Sequence, residues 1–114
     1  ALPFMQSGKV RALGLTSLKR SPLAPDAPTF AEGGFNIDAS IWSGLLAPAG
    51  TSPAIVQRLN ADMTVAGTSL DVRERLATAG SEAATSTTAE FAAILRADLA
   101  KYEKVVRAAN VRIE

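Results

Sequence analysis

The sequence contains no cysteine and no histidine among its 114 residues. Disulfide bonds, thiol catalysis, the usual zinc ligand sets and a Ser-His-Asp triad are therefore excluded. An excess of one charge is lacking too, because 12 basic residues are interspersed with 11 acidic ones. Without a basic stripe, the sequence does not favour nucleic-acid binding. With no nucleophile, base and orienting group to assemble, we expect no enzyme, no metal site and no cofactor.

Large side chains and long apolar runs are also scarce. Hydrophobic residues make up 47% of the chain, but only four Phe, one Trp and one Tyr supply aromatic bulk. A chain of this length forms one domain at most and can bury about two-thirds of its unfolded surface. Its apolar runs are too short to span a membrane. Ala1 and the residues after it do not form the basic and apolar pattern of an export signal.

The first half of the sequence predicts two strands with a loop between them. Residues 9–16 run from loose alternation into apolar residues, with Arg11 on the exposed face, and residues 39–47 form a second apolar segment around Trp42. The prolines between these segments exclude a helix interior or a central strand, so they predict an extended surface loop. Thr29 and Glu32 then form a Thr-x-x-Glu capping box, and two glycines end the turn.

The second half predicts three helices. Ser52 is a suitable N-cap before Pro53, and this helix runs to about Ala66. A second helix starts near Asp71 and ends at Gly80. Thr87 and Glu90 form another capping box, which opens a long helix to about Asn110. Both long helices carry an apolar stripe: Ile55, Val56, Leu59, Met63 and Ala66 in one, and Phe91, Ile94, Leu95, Leu99, Tyr102, Val105 and Val106 in the other. Arg96, Lys101, Lys104 and Arg107 are expected to face away from the second stripe.

Candidate ligand-binding residues follow the first predicted strand and lie in the second. Thr16 and Ser17 end the first strand, and ligands bind at the carboxyl ends of strands in open α/β sheets. Their hydroxyl groups can bind a carboxylate directly or through water, or they can simply cap the loop. Trp42 can form the floor of a ligand cleft, although a lone Trp in an apolar strand is usually a core residue.

Three motifs resemble those of a known receptor family. They are Gly8-Lys9-Val10-Arg11-Ala12-Leu13-Gly14-Leu15-Thr16-Ser17, Pro28-Thr29-Phe30-Ala31-Glu32-Gly33-Gly34, and Trp42-Ser43-Gly44-Leu45-Leu46-Ala47-Pro48-Ala49-Gly50-Thr51-Ser52-Pro53. In this order they resemble the C-terminal part of the solute receptors of tripartite tricarboxylate transporters, the Bug or TctC-like family. The resemblance runs from about Ala1 to Ile113. Ser43 stands where an aromatic residue is common in the family, so it is a fourth candidate for the cleft wall.

The resemblance implies an α/β fold, as a C-terminal fragment of a two-lobed type II periplasmic binding protein with few strands and three helices. Residues 1–41 would form part of the second lobe and the crossing region, and residues 42–114 would return to the first lobe. The implied function is a periplasmic receptor, with its export signal upstream, that captures a small organic carboxylate and delivers it to permease subunits in the membrane. It implies no catalysis.

A fragment of this kind would leave strand edges and apolar helix faces open, so we expect it to self-associate. The alternative function is a self-associating, helix-rich interaction domain that binds no small molecule. Thr16, Ser17 and Trp42 discriminate between the two, because a cleft position favours the receptor and a packed core favours the interaction domain.

Overall fold

The computed structural model describes residues 2–111, which contain four helices: α1 (Leu2–Gln6), α2 (Pro53–Thr68), α3 (Leu70–Thr78) and α4 (Thr88–Ala108). The chain divides into two compact units. The first comprises the residues up to Leu46 together with Leu70–Ala83, and the second comprises Ala47–Ser69 and the residues from Ala84 onward. No helix within the described range is long and apolar enough to cross a membrane. Ile113, the predicted end of the resemblance, lies outside the described residues.

The N-terminal caps of α2 and α4 are confirmed. The Ser52 hydroxyl accepts a hydrogen bond from the Ile55 N–H at 3.4 Å, and Pro53 occupies the first turn, where its missing N–H costs nothing. At α4, the Thr87 hydroxyl accepts from the Glu90 N–H at 3.2 Å, and the Glu90 carboxylate accepts from the Thr87 N–H at 2.8 Å. Both donors at the start of α4 are therefore satisfied by side chains three residues apart.

The short helix α3 ends as predicted but starts earlier. Gly80 has a φ of +78°, and the Ser81 N–H donates to the Leu76 carbonyl at 2.9 Å, which closes the helix with a left-handed residue. The predicted start near Asp71 is confirmed to within one residue, because α3 begins at Leu70, and Asp71 forms an ion pair with Arg75 one turn later at 3.0 Å. The helix α1 was not predicted, so the expected number of three helices is also corrected.

The two predicted strands do not form. Residues 9–16 and 39–47 are irregular in the structure, apart from one isolated parallel bridge between Leu15 and Thr29. A strand exists only when a neighbouring strand accepts and donates its backbone hydrogen bonds. Within the described chain, no backbone hydrogen bond joins residues 43–47 to another segment. The structure is therefore mostly helical with almost no strands among the described residues, so only the helical part of the α/β expectation is confirmed.

Very little of the molecule is buried. Among the described residues only Ala27 and Thr29, at 4% and 3% exposure, are buried. The accessible surface is 9352 Å², whereas a compact protein of this mass exposes about 5,900 Å². Two separate compact bodies of half the mass would still expose only about 7,100 Å². The chain thus presents a large apolar surface that none of its own described residues covers.

The two long helices contact each other in the second unit, but α2 is covered on an unexpected face. Its half-buried residues are Val56, Asn60, Thr64 and Gly67. The Asn60 side chain donates to the Ser86 carbonyl at 2.9 Å, and a Cβ on Gly67 would lie 3.0 Å from the Thr85 methyl group. At 100° per residue, this polar face lies about 90° from the predicted apolar stripe. Apart from Val56, which lies at its edge, that stripe is exposed instead, with Leu59 at 41% and Met63 at 52%.

The apolar stripe of α4 is covered only in its N-terminal half. Phe91 and Leu95 are half-buried, whereas Leu99 and Val105 are 65% and 52% exposed. The expectation that Lys101 faces away is wrong, because its side chain is half-buried. Its ammonium group pairs with Asp98 at 2.6 Å and lies 4.7 Å from the centre of the Tyr102 ring. A charge pair and a cation–π contact therefore lie beside the stripe.

Candidate functional site

The first unit contains a turn built around Thr29 and Glu32 that is held by side-chain hydrogen bonds. The buried Thr29 hydroxyl accepts the Glu32 N–H at 3.2 Å. Arg20 binds the Glu32 carboxylate in a bidentate manner, with Nε and Nη2 at 2.8 and 2.6 Å from its two oxygens. Arg20 also donates to the Pro25 carbonyl at 3.0 Å, so one side chain fastens the proline-rich loop to the turn. No local sequence signal predicts this pair, because its members are 12 residues apart.

The same contacts fix the charge of Glu32. The hydrogen bonds from Arg20, and to a lesser degree from Thr29, lower the pKa of Glu32 to about 2. The carboxylate in turn raises the pKa of Arg20. Glu32 is therefore ionised and paired across the physiological range, which suits a structural anchor and not a general acid. The interpretation of the Thr-x-x-Glu motif as a structural element fits this geometry.

The turn ends with a left-handed glycine, Gly34, whose φ is +86°. The Gly34 and Phe35 N–H groups donate to Ala31 and Phe30 at 3.0 Å each. This is the hydrogen-bond pattern of a Schellman motif, which often brings the two flanking apolar side chains together. The ring of Phe30 also lies over Gly14, where an added Cβ would come within 3.2 Å of the ring. Gly14 therefore lets the first motif approach the second closely.

An open concave surface, which encloses a volume of about 470 Å³, lies beside this turn. Leu13, Pro28, Phe30 and Phe35 give it an apolar lining, and Thr29, Glu32 and Gly33 complete it. Its one charged member is the paired carboxylate of Glu32, so it offers no cation to an anionic ligand. None of the four predicted ligand-binding residues lines this surface.

Thr16 and Ser17 are not packed in a core. Thr16 is exposed and pairs with Ala39: its carbonyl accepts the Ala39 N–H at 3.0 Å, and its hydroxyl donates weakly to the Ala39 carbonyl at 3.4 Å. The half-buried Ser17 donates its hydroxyl proton to the Lys19 carbonyl at 2.7 Å. These contacts bring the end of the first motif beside the segment that leads to Trp42.

Trp42 and Ser43 lie in the extended segment that follows Ala39. The Trp42 side chain is 39% exposed, which is too accessible for a core residue. Ser43 is exposed as well. The Thr16–Ala39 contact thus joins one candidate, Thr16, to a residue three positions before another, Trp42. A ligand-binding role for all four residues stays a prediction.

Comparison with known proteins gives the chain its family. The sequence pattern described as the "Tripartite tricarboxylate transporter family receptor" matches residues 1–111. The chain belongs to this family. Each of the three motifs that carry the resemblance lies within the matched range, so the identification made from those motifs is confirmed.

Three relatives illustrate the similarity. A UPF0065 protein in the tcbD-tcbE intergenic region of Pseudomonas sp. strain P51 is 36% identical over 86% of this chain and 30% of its own length. A UPF0065 protein in the clcB-clcD intergenic region of Pseudomonas knackmussii is 42% identical over 70% of this chain and 48% of its own length. Protein BugT of Bordetella pertussis is 32% identical over 99% of this chain and 35% of its own length. The chain thus matches 30% to 48% of the length of these relatives.

Proposed function

We propose that this chain is part of a periplasmic solute receptor that captures a small organic carboxylate and delivers it to permease subunits in the membrane. The observation that carries the proposal is the family match over residues 1–111. The exposure of Thr16 and of the Trp42 side chain supports it, because neither residue is packed in a core. The receptor role is one of binding, with no catalytic step.

We further propose that the uncovered surfaces are covered by the remainder of a longer receptor. The relatives are two to three times as long as the regions that match this chain. Segments 9–16 and 39–47 would be strands in the receptor sheet, and the exposed stripes of α2 and α4 would pack against another layer. The division into residues 1–41 in the second lobe and 42–114 in the first belongs to the same proposal.

Calorimetric titration of the complete receptor tests this function. The titrants are succinate, citrate, glutamate and benzoate, which represent dicarboxylates, tricarboxylates, amino acids and aromatic acids. We expect saturable binding of at least one acid, and we expect the uncharged amide succinamide, the matched control, not to bind. A folded complete receptor that binds none of the four acids would contradict the proposal.

A self-associating interaction domain is the second candidate, and the exposed apolar side chains of α2 and α4 favour it. The total accessible surface, polar and apolar together, exceeds that of compact bodies of the same mass by about 2,200 Å² or more, which is comparable to the total area buried in an obligate dimer interface. Light scattering on the isolated chain is the test. The same measurement is made on the complete receptor. Under the receptor proposal, we expect the isolated chain to self-associate and the complete receptor not to. Association that persists there would favour the interaction domain.

A further inference from the structure

We draw no further inference here: the strongest candidate, the open apolar concave surface beside the Thr29–Glu32 turn, lined by Leu13, Phe30 and Phe35, carries none, because nothing in the structure shows what covers it.

Discussion

The helices of the second unit and the extended segment around Trp42 satisfy their backbone hydrogen bonds in opposite ways. In α4, each N–H beyond the first turn has a carbonyl acceptor four residues away, and a capping box satisfies the start. In residues 43–47, no described segment supplies a backbone partner. The two regions share one property, because the apolar side chains of both are largely exposed, including Leu59, Leu45 and Leu46.

This difference separates the structure that is set by residues nearby in sequence from the structure that depends on distant residues. A helix completes its own backbone hydrogen bonds, so capping residues within a few positions are enough to place it. A strand depends on a neighbour that can be distant in sequence. Burial depends on distant residues in both cases. Under the proposed function, the helices form within the chain, whereas the strands and the core would need other residues of a longer receptor.

The largest expected effect concerns the exposed stripe of α2. Leu59→Ala should change the free energy of unfolding of the isolated chain by about 0.5 kcal/mol or less, as a surface substitution does. In the complete receptor the same change should cost about 2–4 kcal/mol, because it removes a buried side chain and leaves a cavity. Urea denaturation of both proteins measures the difference. Val65→Ala, at a residue 71% exposed on the opposite face, is the control. Equally small effects of Leu59→Ala in both proteins would contradict the expectation that the complete receptor buries Leu59.

A smaller effect tests the face of α2 that is covered. Gly67→Ala adds helix propensity of about 1 kcal/mol, but its Cβ would lie 3.0 Å from the Thr85 methyl group. We expect the single substitution to give little or no gain in stability. In a Thr85→Ser background, which lacks that methyl group, the same substitution should stabilise by about 1 kcal/mol. Thermal unfolding of the unmodified protein, the two single variants and the double variant measures the coupling between positions 67 and 85. Strict additivity would show that Thr85 does not lie against Gly67.

The smallest effect in stability concerns the Arg20–Glu32 pair. Because its partners are exposed, Arg20→Gln should have little effect on stability, but it should raise the pKa of Glu32 from about 2 towards its usual value. A carboxyl whose pKa is lowered by folding stabilises the folded state above its unfolded pKa, and this contribution is lost as the pH falls towards 2.

A ¹³C titration of the Glu32 carboxyl group measures this change in both proteins. Arg58→Gln, which breaks an exposed pair in α2, is the matched control and should leave the Glu32 titration unchanged. A Glu32 pKa that stays near 2 without Arg20 would mean that the Thr29 contacts are the dominant cause.

Prediction from the sequence succeeded where nearby residues set the structure and failed where distant residues do. The caps at Ser52 and Thr87 and the end of α3 at Gly80 were predicted because each signal lies within a few residues of the boundary that it sets. Periodicity located the apolar stripe of α2. It could not show that Asn60 and Gly67, on a neighbouring face, would contact residues 85–86. The Arg20–Glu32 and Thr16–Ala39 contacts join residues far apart in sequence, so no local pattern indicated them. Thr16, Ser17 and Trp42 were candidates because of their places in the two predicted strands, and Ser43 because of the family resemblance.

Hydrogen exchange of the amides in residues 43–47 tests the central claim most directly. The measurement compares the isolated chain with the complete receptor, and the amides of α4 serve as the internal reference. We expect residues 43–47 to exchange at close to the unprotected rate in the isolated chain, and at least about 100-fold more slowly in the receptor, where a neighbouring strand would bind them. The same fast exchange in both proteins would show that this segment gains no strand partner and would contradict the account.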